Sequence, residues 1–134
     1  MKLNRVVPML WVENIEQTVV FYRDVLGFYC PGQLEGWACL VNHEVELMIS
    51  LPNQHETFEK LGFTGSLYFQ PDDVDLLWDD LKDKAPVVYP IENFTYGMRE
   101  FAIRDNIWIH HAIWQADRIM LPDLIKRVIV VLSP

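Results

Sequence analysis

Hydrophobic and polar positions in the first part of the chain follow the period of a strand and then that of a helix. Residues 5–12 are rich in Val and Leu and predict a strand. Four apolar residues then recur on one helical face: Ile15, Val19, Tyr22 and Leu26. Asn14 is placed to cap this helix, and Gly27 is placed to end it. The pattern therefore predicts a strand followed by an amphipathic helix.

Three short strand-like runs follow this helix: residues 28–30, 37–41 and 45–51. The dipeptides Pro31–Gly32 and Asn42–His43 separate the runs and predict the turns between them. Residues 52–62 are polar and predict a linker, with a short helix at 56–61.

The same order of patterns then begins again. Residues 66–70 predict a strand, and the stretch PDDVDLLWDDLKDK predicts a helix capped by Asp72 or Asp73. Four residues form the apolar stripe of this helix: Val74, Leu77, Trp78 and Leu81. Three more strand-like runs complete the pattern: residues 87–89, 98–103 and 107–114. The chain is thus predicted to be α+β, with the order βαβββ occurring twice.

The two strand-to-helix turns also resemble each other in sequence. Residues 13–16 (ENIE) superpose on residues 72–75 (DDVD), with acidic, capping, apolar and acidic residues in the same order. Such a repeat predicts an internal duplication. We expect module one at 4–51 and module two at 65–115 to form a curved mixed sheet around a cleft, within one domain that spans 1–115.

Residues 116–134 form an apolar C-terminal tail. Pro122 is placed to open a helix there, whereas residues 128–132 (VIVVL) are mostly β-branched and equally fit an edge strand. Apolar runs of this kind usually dock on their own domain or on a partner. We therefore expect the tail to be docked, in a homodimer.

The composition restricts the class of protein further. The 134 residues are 51% hydrophobic and 13% aromatic, which argues against disorder and fits one domain. The net charge of −8 argues against a nucleic-acid partner, because phosphate binding needs clustered Lys and Arg. Cys30 and Cys39 form no CxxC motif, and neither a signal-peptide pattern nor a membrane-length apolar run is present. We expect a cytoplasmic protein with reduced thiols and no membrane partner.

Successive side chains of a strand point to opposite faces of the sheet, and this alternation assigns the candidate ligand-binding residues to one face of the predicted sheet. In the last strand, four residues share the face that should pack on the helices: Ile107, Ile109, His111 and Ile113. Four residues share the opposite, concave face: Trp108, His110, Ala112 and Trp114. The fourth strand likewise offers three residues to the concave side: Glu46, Met48 and Ser50. His110 and His111 are therefore expected on opposite faces, with His111 a core or interface residue.

The predicted concave face is lined by aromatic side chains: Trp11, Tyr68, Trp108 and Trp114. Glu46 and His110 are its ionisable groups, and Tyr96 is expected at its rim. Aromatic walls with a few polar groups suit a planar organic ligand. The alternative is that these aromatic residues fill the core or a dimer interface.

Three stretches resemble the glyoxalase/bleomycin-resistance/dioxygenase superfamily, the vicinal oxygen chelate fold. The opening VVPMLWVENIEQTVVFYRDVLGF is similar to the start of that family, VELMIS to its fourth strand, and YGMREFAIRD to the run before its last strand. The resemblance covers residues 6–115 and implies the doubled βαβββ fold. It does not settle function, because the superfamily contains lyases, dioxygenases, epimerases and drug binders.

The resemblance also implies where a metal would bind, with one ligand on each of four strands. Those positions fall on Val7, Glu46, Ser66 and His110. Only Glu46 and His110 have suitable chemistry, and catalytic zinc or iron sites normally take three protein ligands. We therefore predict no metal and no other cofactor. Glu46 and His110 would otherwise form an acid–base pair or contact the ligand.

Three functions follow from these patterns. The first is a metal-free protein that binds an aromatic or cationic small molecule, similar to bleomycin-resistance proteins, in clefts at a dimer interface. Its ligand-binding residues would be Trp11, Glu46, Tyr68, Tyr96, Trp108 and His110. The second is a divalent-metal-dependent lyase or dioxygenase that uses Glu46 and His110. The third is an association module that uses the C-terminal tail.

Overall fold

A computed structural model describes residues 1–53, 55, 62–63, 66–107 and 109–116, except for the side chains of His110 and Ala116. Trp108, the predicted helix at 56–61 and the tail beyond Ala116 lie outside the described residues. The chain forms two compact units, Met1–Leu61 and Gly62–Pro134. Within the described residues, no helix is long and apolar enough to cross a membrane.

The first unit has the order βαβββ. Its elements are β1 (Met9–Trp11), α1 (Ile15–Asp24), β2 (Tyr29–Leu34), β3 (Trp37–Asn42) and β4 (Val45–Ser50). The four strands form one sheet in the order β1-β4-β3-β2, in which only the β1–β4 pair is parallel. The first strand is shorter than the residues 5–12 predicted for it, so Val7 precedes it.

The second unit repeats this order. Its elements are β5 (Ser66–Phe69), α2 (Val74–Leu81), β6 (Val87–Asn93), β7 (Met98–Arg104) and β8 (His110–Ala116). Its sheet has the order β5-β8-β7-β6, again with one parallel pair, β5–β8. The identical strand order confirms the α+β class and the two tandem βαβββ modules.

Both helices begin at the residues that the repeat indicates. The Asn14 side chain accepts a hydrogen bond from the amide of Gln17 at 2.9 Å. Asp73, the residue that matches Asn14 in the repeat, accepts hydrogen bonds from the amides of Asp75 and Leu76, both at 3.0 Å. Each cap satisfies backbone donors that have no partner within the helix.

The first helix ends three residues before the predicted stop at Gly27. Its last turn closes through a hydrogen bond from the amide of Phe28 to the carbonyl of Tyr22 at 3.0 Å. Gly27 has a φ of +69°, a conformation in which a side chain would be strained. Gly27 thus lies in the turn after the helix rather than directly following the last helical residue.

Each helix packs on one face of its own sheet. In the first unit the buried core comprises Leu10, Ile15, Val19, Tyr22, Ala38, Leu40, Leu47 and Ile49. In the second unit it includes Val74, Leu81, Phe101, Ile103, His111 and Ile113. The ring of Trp78 on α2 packs edge to face on Phe101 of β7, with centroids 5.1 Å apart. The predicted stripes are thus buried at Ile15, Val19, Tyr22, Val74 and Leu81. Leu77 and Trp78 are half-buried, and Leu26 lies beyond the end of α1.

The turn predicted between the second and third strands is wrong. Pro31–Gly32 does not form a turn but lies inside β2, where the pairing with β3 shifts register. The turn falls instead at Glu35–Gly36, and Gly36 has a φ of +78°. A β-bulge accommodates Pro and Gly within a strand that has only one neighbour in the sheet, which explains why their turn propensity is overridden.

The last strand begins at His110 rather than at Ile107. Residues before it form a loop in which the Asp105 carboxylate accepts hydrogen bonds from the amides of Ile107 and Ile109, both at 2.9 Å. Because Asp105 satisfies these donors, the two residues need no strand partner there. Ile109 is nevertheless buried, so the predicted apolar face is retained.

Candidate ligand-binding site

The face of the first sheet that points away from α1 is partly exposed and rich in aromatic and sulfur side chains. Register pairs place Trp11 and Trp37 beside Ser50, one on each neighbouring strand. Both tryptophans are half-buried. Met9 and Met48, the next pair along β1 and β4, continue the same face. This surface offers flat, polarisable contacts for a planar ligand.

Trp37 was not among the residues that sequence reasoning selected. It lies over β2, where a methyl group added at Gly32 would be 3.7 Å from the Trp37 ring. The alternation of side chains along β3 could have identified Trp37. Ala38 and Leu40 are fully buried against the helix, so Trp37 lies on the other face of the sheet.

Glu46 lies on this face and already has two partners. Its Oε2 forms an ion pair with the guanidinium of Arg5 at 2.8 Å, and its Oε1 accepts a weak hydrogen bond from the Cys39 thiol at 3.7 Å. Arg5 is 67% exposed and Glu46 is 29% exposed, so water screens the pair. Burial, followed by the negative charge of Glu46, raises the pKa of the Cys39 thiol. Cys39 is therefore a poor nucleophile at neutral pH.

The second sheet presents tyrosines on the face that points away from α2. One row of register partners crosses all four strands: Tyr68, Ala112, Ala102 and Tyr89. Small alanines thus separate two half-buried tyrosines. Trp114, next along β8, is buried, so it belongs to the core as the alternative interpretation of the aromatic residues expects.

Glu100 lies beside this row as the register partner of Trp114. Its side chain is only 2% exposed. Its Oε1 accepts hydrogen bonds from the hydroxyls of Tyr89, at 3.2 Å, and Tyr96. Tyr96, predicted at the rim of the concave face, is half exposed, while its hydroxyl donates to this carboxylate.

The tyrosine hydroxyls stay protonated because of their surroundings. Burial is the largest cause that raises the pKa of Tyr89 and of Tyr96 far above the ordinary value for tyrosine. The nearby Glu100 carboxylate adds to both shifts by its charge and its hydrogen bonds. The two phenols therefore act as donors to Glu100 at every physiological pH.

Glu100 was not predicted as a site residue from the sequence, although it lies in the run YGMREFAIRD that resembles the family. Phe101 and Ile103 are fully buried on the helix side of β7, so parity alone assigns Glu100 to the opposite face. Glu100 in β7 and Trp37 in β3 occupy equivalent positions of the two modules. Glu100 pairs in register with Trp114 of β8, and Trp37 pairs with Ser50, the matching residue of β4. Parity applied to the third strand of each module would have found both.

Of the two adjacent histidines, His111 has a described side chain. His111 is fully buried, its Nε2 lies 3.0 Å from Asp105 Oδ2, and its ring stacks on Phe69 with centroids 5.2 Å apart. It is a core residue, as the strand period predicts. His110 pairs in register with Ser66, and its side chain lies outside the described residues. Trp108 lies outside them entirely.

Three of the four positions that a family metal would use have described side chains, and none of the three is a free, strong metal ligand. Val7 has no donor atom, the Ser66 hydroxyl is a weak ligand, and the Glu46 carboxylate is paired with Arg5. Among the side chains that the structure describes, no three His, Cys, Asp or Glu group together as a metal site requires. The side chain of His110, the fourth position, lies outside the described residues.

Comparison of the sequence with protein families gives one match, which covers residues 2–107. It is to the family described as the Glyoxalase/Bleomycin resistance protein/Dioxygenase superfamily. No curated protein matches the sequence significantly.

Solved structures share the fold at low sequence identity. A bleomycin resistance determinant encoded on the transposon Tn5 has a TM-score of 0.68 and 18% identity, covering 86% of this chain and 99% of that one. A bleomycin-binding protein from bleomycin-producing Streptomyces verticillus, complexed with copper(II)-bleomycin, has a TM-score of 0.63 and 22% identity, with coverages of 84% and 96%. A lactoylglutathione lyase from Agrobacterium tumefaciens has a TM-score of 0.66 and 17% identity, with coverages of 90% and 100%. At these identities the likeness establishes the fold alone.

Proposed function

Because the chain belongs to the Glyoxalase/Bleomycin resistance protein/Dioxygenase superfamily, we propose that it binds a planar aromatic or cationic small molecule without changing it chemically. The observation that carries this proposal is the pair of half-buried tryptophans, Trp11 and Trp37, on either side of Ser50. Tryptophans that only fill a core are more fully buried, as Trp114 is. Partly exposed ones on a sheet face provide stacking surface.

The donor chemistry supports binding over metal catalysis. Val7 and Ser66 are poor replacements for metal ligands, and Arg5 already compensates the charge of Glu46. Two solved proteins with this fold are described as a bleomycin resistance determinant and a bleomycin-binding protein. We therefore favour a drug-like ligand that sequestration removes from solution.

The proposed ligand-binding residues are Trp11, Trp37, Glu46, Tyr68, Tyr96, Trp108 and His110. In this proposal the rings stack on the ligand, and Glu46 exchanges its Arg5 partner for a polar group of the ligand. We place the protein in the cytoplasm as a homodimer, without a metal or other cofactor.

The proposal is tested by titration calorimetry with planar aromatic compounds, 9-aminoacridine and acridine. We expect Trp11→Leu and Trp37→Leu each to weaken binding by about tenfold, because each removes one stacking contact. Phe21→Leu, on α1 at the opposite face of the sheet, serves as the matched control and should leave affinity unchanged. No binding of either compound up to millimolar concentration, or equal losses in all three variants, would reject the proposal.

A second candidate function is a divalent-metal-dependent lyase or dioxygenase that uses Glu46 and His110. The lactoylglutathione lyase with the same fold favours it. Elemental analysis of protein purified without chelator separates the two functions. Near-stoichiometric metal that disappears in a Glu46→Gln variant would support the enzyme and contradict the binding protein, whereas metal-free protein that binds 9-aminoacridine would support the binding protein.

A further inference from the structure

Glu100 combines a buried carboxylate with one oxygen that has no hydrogen-bond partner. Its Oε1 accepts two tyrosine hydroxyls, from Tyr89 and Tyr96. Its Oε2 is buried and has no hydrogen-bond partner among the residues that the structure describes. A buried polar atom without a partner is costly, and such atoms in native proteins usually have a specific role.

The charge of Glu100 is also uncompensated within the described part of the chain. No Lys, Arg or His side chain described there forms an ion pair with it; Arg99, its sequence neighbour, pairs with Asp75 at 2.6 Å instead. Its register partner on β6 is Glu92, a second acidic residue. Like charges at paired positions of adjacent strands destabilise a sheet. The fold therefore holds negative charge here that an external cation would neutralise.

We propose that Glu100 is the anchor for a cationic N–H donor on the ligand, such as a protonated amine, an amidinium or a guanidinium group. This inference rests on the proposed function, and it names the chemistry that the site selects. The cation donates a hydrogen bond to Oε2 while the tyrosine hydroxyls hold Oε1. Glu46 is less suited to this task, because Arg5 already occupies its Oε2.

The aromatic rings around Glu100 suit the same occupant. Phe94 stacks on Tyr96 with centroids 5.2 Å apart and meets Tyr89 edge to face at 5.6 Å. Ring faces attract cations, so these walls add to the attraction of the carboxylate. Tyr96 is 50% exposed, so this aromatic wall extends to the solvent.

The backbone explains why Tyr96 reaches this position. The amide of Gly97 donates to the carbonyl of Phe94 at 3.0 Å, and the amide of Phe94 donates to the carbonyl of Met98 at 2.7 Å. This tight connection needs a φ of +81° at Gly97, which is strained for other residues. It brings Tyr96 back over β7, four residues before Glu100.

Three acridines that share one ring system and differ in charge and donor capacity test the anchor. They are 9-aminoacridine, a cation with N–H donors; N-methylacridinium, a cation without them; and acridine, which is neutral at mildly alkaline pH. We expect calorimetry at that pH to rank their affinities in this order, with 9-aminoacridine ahead of acridine by about ten- to a hundredfold. If all three bind equally, Glu100 is no anchor, although the proposed function stands. If none binds, both proposals fail.

Two matched variants assign the effect to the residue. Glu100→Gln keeps the shape and an acceptor for the tyrosines but replaces Oε2 by an amide donor, so 9-aminoacridine should lose about ten- to a hundredfold in affinity while acridine is unaffected. Glu92→Gln removes the same charge at the exposed paired position and should cost less than about threefold. Equal losses in the two variants would mean general electrostatic attraction and would overturn the anchor.

Stability without ligand distinguishes the anchor from a merely structural carboxylate. An anchor carries an uncompensated charge, so Glu100→Gln should leave the thermal midpoint unchanged or raise it. A lowered midpoint together with equal losses for all three probes would mean that Glu100 only holds Tyr89 and Tyr96, and would overturn the proposal.

Discussion

At the scale of single residues, position on a strand decides the role more than residue type does. His110 and His111 are neighbours of identical chemistry, yet the alternation of a strand separates them. His111 is held in the core by Asp105 and Phe69, while the backbone of His110 pairs in register with Ser66. The same rule separates Glu100 from Phe101, and so distinguishes a candidate ligand anchor from a core residue.

Asp105 is the residue whose loss should be most costly. It accepts hydrogen bonds from two backbone amides and contacts buried His111, so Asp105→Ala leaves several buried polar groups without partners. We expect a loss of about 3 kcal/mol in the free energy of unfolding, measured by urea titration. Asp105→Asn retains an acceptor for the amides and should lose about 1 kcal/mol. Equal losses in the two variants would contradict this account.

At the scale of elements, each helix is defined by its first residues and by its apolar stripe. Asn14 and Asp73 begin α1 and α2 at matching positions of the duplication. The ends of strands are less well defined by the local sequence. Pro31–Gly32 lies within β2, and β6 continues through Pro90 to Asn93. Both strands lie at the edge of their sheets, where a missing or displaced hydrogen bond is tolerated.

The cap of the second helix provides a direct test at this scale. Asp73 accepts hydrogen bonds from two amides, so Asp73→Ala should lower the free energy of unfolding by about 1 to 2 kcal/mol. Asp72→Ala removes an exposed acidic residue one position earlier and should change it by less than about 0.5 kcal/mol. Urea unfolding of both variants checks the difference, and equal effects would show that charge rather than capping matters.

At the scale of the whole molecule, the net charge of −8 favours the approach of cations. Among the described residues, some acidic side chains are paired at the surface, as in Lys84–Asp80 and Arg99–Asp75, while Glu100 has no ion pair there. The acidic balance thus supports the ligand class proposed for the site, without identifying the compound.

Varying the salt concentration should measure how much the negative net charge of the protein contributes to binding of a cation. Raising the ionic strength from about 0.01 to about 0.15 M shortens the screening length from about 30 to about 8 Å. We expect the affinity for 9-aminoacridine to fall by about threefold, and that for neutral acridine to stay constant, in calorimetric titrations. A salt dependence shared by both compounds would contradict an electrostatic contribution.

The sequence by itself determined the α+β class, the doubled βαβββ order, the cap of the first helix at Asn14 and the burial of Leu47 and Ile49 in the fourth strand. It left the cap of the second helix open between Asp72 and Asp73. These features depend on local periods of 2 and 3.6 residues and on short-range hydrogen bonds, which neighbouring residues specify. Only the tertiary structure decided that Arg5 forms an ion pair with Glu46 and that two tyrosine hydroxyls donate hydrogen bonds to Glu100. Such contacts depend on how strands pair and turns fold back, and no local pattern in the chain records them.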